Sequence, residues 1–107
     1  MEGDLIGALE SIAKAVALSP GKAVVHRNCA AIHLAAGELV AALRAGEAAM
    51  TLQPNDAESL LVAGDISVAL RRQDDARIFY AKAGAISPRF ANEALARSQP
   101  MSSAAES

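Results

Sequence analysis

The stretch LSPGKA at residues 18–23 returns as LQPNDA at 52–57 and again as ISPRFA at 86–91. Pro20, Pro54 and Pro88 follow one another at 34 residues, and they are three of the four prolines in the chain. A fixed period of this length marks a repeat array, in which each unit is one small supersecondary element stacked on its neighbours. Counting back from each proline, the same columns recur: Ala8, Ile12 and Ala15, then Ala42, Gly46 and Ala49, then Ala76, Tyr80 and Ala83. The middle copy has Gly46 where a large side chain is expected. Leu18, Leu52 and Ile86 form a further column. Alanine columns arise easily in so Ala-rich a chain, so the proline and leucine columns carry most of the weight.

Each unit reads as two helices. Proline follows each second helix because it has no N–H with which to continue the hydrogen-bond ladder. Gly3-Asp4 and Gly37-Glu38 punctuate the turn between helices, since glycine tolerates the left-handed backbone that ends a helix. Arg71-Arg72 occupies that place in the last unit, so its turn must manage without glycine. Asn55-Asp56 offers side-chain caps to the helix that follows.

With these columns the sequence resembles the tetratricopeptide repeat, a helix-turn-helix unit of this length with the pattern Trp-x2-Leu-Gly-x2-Tyr, then Ala-x3-Phe, then Pro. The second half of the pattern matches in all three copies. The first half falls on His26, Cys29, Ala30 and His33 in one unit and on Leu60, Ala63, Gly64 and Ser67 in the next, where only Gly64 is identical. The resemblance covers about 3–88 and implies an all-α fold: antiparallel helix-turn-helix repeats stacked as a short right-handed α-solenoid.

In this register 3–20 is a half repeat holding only a second helix, 21–54 and 55–88 are complete repeats, and 89–97 is a short capping helix. Residues 1–97 then form one domain, and the small, polar 98–107 is expected to be a disordered tail. Ser87 and Pro88 suit the start of the capping helix. On it, Phe90 and Ala94 share one side, and Arg89, Glu93 and Arg97 are expected to face water. The first helix carries Leu5, Leu9, Ile12 and Val16 at intervals of four, three and four, a helical stripe that Ile6 and Ala13 widen. Later units turn polar in the same columns: Ile6 aligns with Asp74, Leu9 with Arg77 and Ala13 with Glu47. Repeat arrays bury their faces only against neighbours, so this stripe calls for a longer natural chain, self-association as a homodimer through the N-terminal helix, or a partner protein, in that order of preference.

Composition narrows the function. The 107 residues suffice for one domain, 52% are hydrophobic and only 3% aromatic, so alanine supplies much of the apolar content and favours helices in close contact. A net charge of −2 with acids and bases interspersed leaves no basic stripe for nucleic acid. No apolar run approaches the ~20 residues that span a bilayer, so no membrane association is expected. Glu2 and Asp4 argue against a secretory signal, and the single Cys29 cannot form an internal disulfide, which makes a reducing cytoplasm the default location.

His26, Cys29 and His33 share one helical face, but the two histidines lie ~10 Å apart along the axis at 1.5 Å per residue, and no other Cys or His exists to complete a zinc site. Packing is the better account of all three. No glycine-rich phosphate loop, nucleophile elbow or HExxH pattern occurs, so no enzyme activity, cofactor or metal is expected. The resemblance implies instead that the first helix of each unit lines a concave groove holding an extended peptide. Its candidates are Val24, Arg27, Asn28, Ala31, Leu34 and Ala35 in one unit and Glu58, Leu61, Val62, Asp65, Val68 and Ala69 in the next. Asn28 stands where some members hold a peptide backbone with an amide, which both donates and accepts. A clamp for a C-terminal carboxylate is contradicted by Glu58 and Val62. The expectation is a non-catalytic protein-interaction module. The alternatives are a repeat appendage or fragment of a larger bacterial enzyme of glycosyltransferase, sulfotransferase or hydroxylase type, or a self-associating assembly domain joined through Leu5, Ile6, Leu9, Ile12, Ala13 and Val16.

Overall fold

Six α-helices follow one another: α1 (Glu2–Leu18), α2 (Ala23–Ala35), α3 (Leu39–Leu52), α4 (Ala57–Ala69), α5 (Gln73–Ile86) and α6 (Ala91–Ser98), with a single 3-10 turn at Pro88–Phe90 before the last. The structure is a computed structural model that describes residues 2–98, with side chains from 5 to 97. Among the described residues there is no strand, and each helix packs on the next, while α2 also touches α4. Shifting α2 and α3 by 34 residues reproduces the bounds of α4 and α5. The chain is an all-α stack of antiparallel helical repeats.

The turn within each complete unit is built the same way. After α2, the Gly37 N–H bonds to the Leu34 carbonyl at 3.0 Å and the Glu38 N–H to the His33 carbonyl at 2.9 Å. After α4, Arg71 and Arg72 repeat these bonds to Val68 and Ser67 at 3.0 and 2.8 Å. This double bond pattern closes a helix through one left-handed residue. Gly37 supplies it at φ 77°, and Arg71 is driven to φ 62° despite its Cβ. A left-handed non-glycine residue costs roughly 1–2 kcal/mol, part of which glycine gives back through its freer unfolded chain. Arg71→Gly is therefore expected to raise stability by about 0.5–1 kcal/mol, read as a few degrees in Tm by circular dichroism; an unchanged or lower Tm would contradict the strain.

One expectation at a helix start is corrected. Gly3 and Asp4 do not form a turn but lie inside α1, which begins at Glu2. Asp56 occupies the position before α4, and its carboxylate takes the Ser59 hydroxyl at 2.6 Å and an Arg27 guanidinium N–H at 3.2 Å. Of the tail expected at 98–107, Ser98 ends α6 and the rest lies outside the described residues.

The core forms two clusters. Ala30, Ala42, Ala45 and Ile66 make one, and Ala57, Leu60, Leu61, Ala76, Tyr80, Ala83 and Ala94 the other. The large side chain missing at Gly46 is replaced from the next unit: a Cβ built there would lie 3.5 Å from Ile66 Cδ1. Ile66 is 1% exposed, the largest fully buried side chain in the stack. In the following unit the sizes are exchanged, with Gly64 on α4 opposite Tyr80 on α5.

Candidate functional site

The first helices of the units, α2 and α4, lie side by side, and Arg27 ties them: from α2 it reaches Asp56 at the start of α4, 3.2 Å away. The same guanidinium also lies 3.5 Å from Glu58. Burial pushes the Asp56 carboxyl pKa up, but the Ser59 hydroxyl and Arg27 outweigh it and hold the group below its ordinary value.

Beside this pair runs a depression of about 310 Å³ lined by Arg27, Asn28 and Ala31 of α2, Glu58, Leu61 and Val62 of α4, and Phe90, Glu93 and Arg97 from the C-terminal turn and α6. Six residues named from the sequence thus converge with three that were not. Asn28 is exposed, and its amide has no hydrogen-bond partner among the described residues. Val24 and Val68 stand exposed at the edges of their helices. Leu34 packs against the cluster around Ala30 and Ile66 instead of lining the depression. Asp65 is engaged: one oxygen accepts the Tyr80 hydroxyl at 2.6 Å and the other the Arg97 guanidinium at 2.8 Å. Arg97 also pairs with Glu93. Arg97 was expected in water; its long side chain instead reaches back over α4 and closes the end of the depression.

The charges of this surface are uneven. Two guanidiniums, Arg27 and Arg97, meet four carboxylates, Asp56, Glu58, Asp65 and Glu93. The surface therefore favours cations over anions, because each guanidinium is shared between two carboxylates and a net negative charge remains. Between them Ala31, Leu61, Val62 and Phe90 supply apolar floor.

The remaining sequence candidates are separately engaged. His26 donates from Nε2 to the Pro20 carbonyl at 2.6 Å, and His33 donates from Nδ1 to Glu38 at 2.7 Å. Cys29 packs beside the Ala30 cluster, and burial raises its thiol pKa, which keeps it protonated and a poor nucleophile. Among the described residues no three His, Cys, Asp or Glu side chains gather as a metal site would require. None of the described helices is long and apolar enough to cross a membrane.

On α1, Ile12 is buried, Leu5, Leu9 and Val16 are half-buried, and Ile6 and Ala13 are exposed. A separate trough of about 490 Å³ runs along this helix, lined by Ala8, Ser11, Ile12 and Ala15 of α1 with Asn28, Ala31 and Ile32 of α2. Only Ile12 of the expected edge residues lines it. Of the other three α1 residues, Ala8 and Ala15 stand in the repeat columns as counterparts of Ala42 and Ala49, and nothing in those columns marks Ser11. Set against the known protein families, the sequence matches no family model, and no curated protein matches it.

Proposed function

We propose that this chain is a non-catalytic protein-interaction module that holds an extended peptide segment on the surface formed by α2, α4 and α6. The observation that carries this reading is the convergence of Arg27, Asn28, Ala31, Glu58, Leu61 and Val62 with Phe90 and Glu93 around one depression. The tetratricopeptide resemblance supports it, since the same helix faces serve as peptide grooves in that family. The preferred segment is apolar with basic side chains, because the carboxylates outnumber the guanidiniums. Packed helices fix the surface in advance, so ordering costs fall mainly on the ligand. In this reading the module works in a reducing cytoplasm with Cys29 as a free thiol.

Selection from a random peptide display library on the 107-residue chain tests the proposal, with fluorescence anisotropy of the recovered peptides. Enrichment of Lys- or Arg-containing apolar peptides is expected, and Asn28→Ala should weaken their binding several-fold, the effect of roughly 1 kcal/mol for one hydrogen-bonding amide. Failure to enrich any peptide above a scrambled control would sink the reading. Unchanged affinity in Asn28→Ala would remove that residue from the site.

A further inference from the structure

Among the described residues, the two ends of the stack present complementary open faces. The buried positions of α3 are Ala42, Ala45, Gly46 and Ala49, where α3 packs against α2. Their counterparts 34 residues earlier are Ala8, Ser11, Ile12 and Ala15, and these are the α1 residues that line the open trough. Ser11 is exposed and Ala8 and Ala15 are half-buried, whereas Ala42 and Ala49 are 0% exposed. The difference has one cause: α3 has a first helix of its unit against it and, among the described residues, α1 has none.

At the other end the vacancy is reversed. Ala23 and Ala57, the first residues of α2 and α4, are buried. Ala91, next in that column and first in α6, is exposed. With Ala94 it borders an apolar hollow of about 270 Å³ whose far wall is Tyr80, Ala81 and Gly84 of α5. These three are the counterparts of Gly46, Glu47 and Met50, which α3 turns toward Asp75 and Phe79 of α5 across the corresponding hollow one unit earlier. A second helix of a unit would fill the place beside Ala91. By register α6 is a first helix and α1 is a second helix, so among the described residues each end presents what the other lacks.

We propose that α6 of one copy docks in the α1 trough of another, completing a 34-residue unit between two chains, so that the protein assembles head to tail. Such a contact joins two different surfaces, leaves both outer ends available, and therefore propagates instead of closing as a symmetric pair. Repeat stacks suit this, because each unit is stabilised by its immediate neighbours whatever the chain connectivity. The junction places α6 of one copy beside Asn28 and Ala31 of the next, residues that also border the candidate groove, so assembly brings that groove up to the next chain.

Analytical ultracentrifugation of the full chain tests this, with helicity checked by circular dichroism. The weight-average mass is expected to climb with concentration past 22 kDa, twice the 11.0 kDa chain. Ser11→Glu blocks the trough and Ala91→Glu blocks the α6 end; both positions are exposed, so both variants should retain the parent helicity. Ala81→Glu, also exposed and beside the same hollow, blocks the α6 end independently. Each variant alone should stay at 11.0 kDa, and an equal mixture of a trough-blocked and an α6-blocked chain should stop at 22 kDa. A parent that stays monomeric at all concentrations overturns the proposal. So does an Ala91→Glu chain that dimerises unaided, since that is the behaviour of a symmetric α1 pair.

Discussion

Replacing Tyr80 by Ala is expected to cost about 3–5 kcal/mol, the range for removing a buried aromatic side chain, and to lower Tm by roughly 15–25 °C in a domain of this size. Tyr80 is 2% exposed and stands in the cluster that joins α4, α5 and α6, with Ala57, Leu60, Leu61, Ala76, Ala83 and Ala94 around it. These neighbours include four alanines, which have no longer side chain to swing into the space the ring leaves. The cavity therefore persists, and the cost lies in the upper part of the range. The hydroxyl contributes less. Its acceptor, Asp65, keeps Arg97 and is one-third exposed, so water can replace the phenol there. Tyr80→Phe should then lose only about 1 kcal/mol. Burial, then the Asp65 hydrogen bond and charge, push the phenol pKa upward with Arg97 opposing, so the hydroxyl remains a donor and this difference should persist into alkaline solution. Thermal unfolding followed at the helix circular dichroism signal measures both variants. A Tyr80→Ala chain melting within about 5 °C of the parent would mean that the ring is not the keystone of this cluster.

The contrast between Tyr80 and Arg97 shows what the sequence discloses and what it withholds. Tyr80 falls in a column fixed by the 34-residue step, and a column position on a helix dictates which way a side chain leaves the backbone. For that reason the two-helix units at 21–54 and 55–88 follow from spacing, while the shared face of Arg27, Asn28, Ala31, Glu58, Leu61 and Val62 was named only through the tetratricopeptide resemblance. Arg97 leaves α6 toward solvent by the same rule, but its long stem carries the guanidinium back to Asp65 on α4. Periodicity fixes the direction of Cβ and says nothing of where a flexible charged tip finds its partner. Asp56 makes the same point, since its oxygens take a tertiary guanidinium and a neighbouring hydroxyl that no local capping rule names. The filling of Gly46 by Ile66 is illegible because it is a size match between different columns of successive units, and a single sequence gives no rule that pairs them.

Glycine substitution within the same helical stack should change stability in opposite directions at two positions. An Ala in place of Gly in a helix interior ordinarily gains about 1 kcal/mol. At Gly46 the new Cβ would meet Ile66 Cδ1 at 3.5 Å and Ala30 Cβ at 4.0 Å, ordinary van der Waals contacts, so the gain should be realised. At Gly64 the Cβ would lie 2.3, 2.6 and 2.8 Å from three atoms of the Tyr80 ring. A side chain with a free end would yield, but this ring is buried on its faces and tethered through its hydroxyl to Asp65 at 2.6 Å. The two helices must then move apart, and overpacking of this kind costs roughly 1–3 kcal/mol beyond the helix gain it cancels. Gly64→Ala is therefore expected to lower stability by about 2 kcal/mol, while Gly46→Ala raises it by about 0.5–1. Urea unfolding of both variants decides the signs, and a double-mutant cycle identifies the cause. In a Tyr80→Ala background the obstruction is gone, so Gly64→Ala should become neutral or stabilising, a coupling of at least about 2 kcal/mol between the two sites. A Gly64→Ala chain more stable than the parent would refute the close approach of α4 and α5. Equal losses with and without Tyr80 would place the obstruction on some other atom.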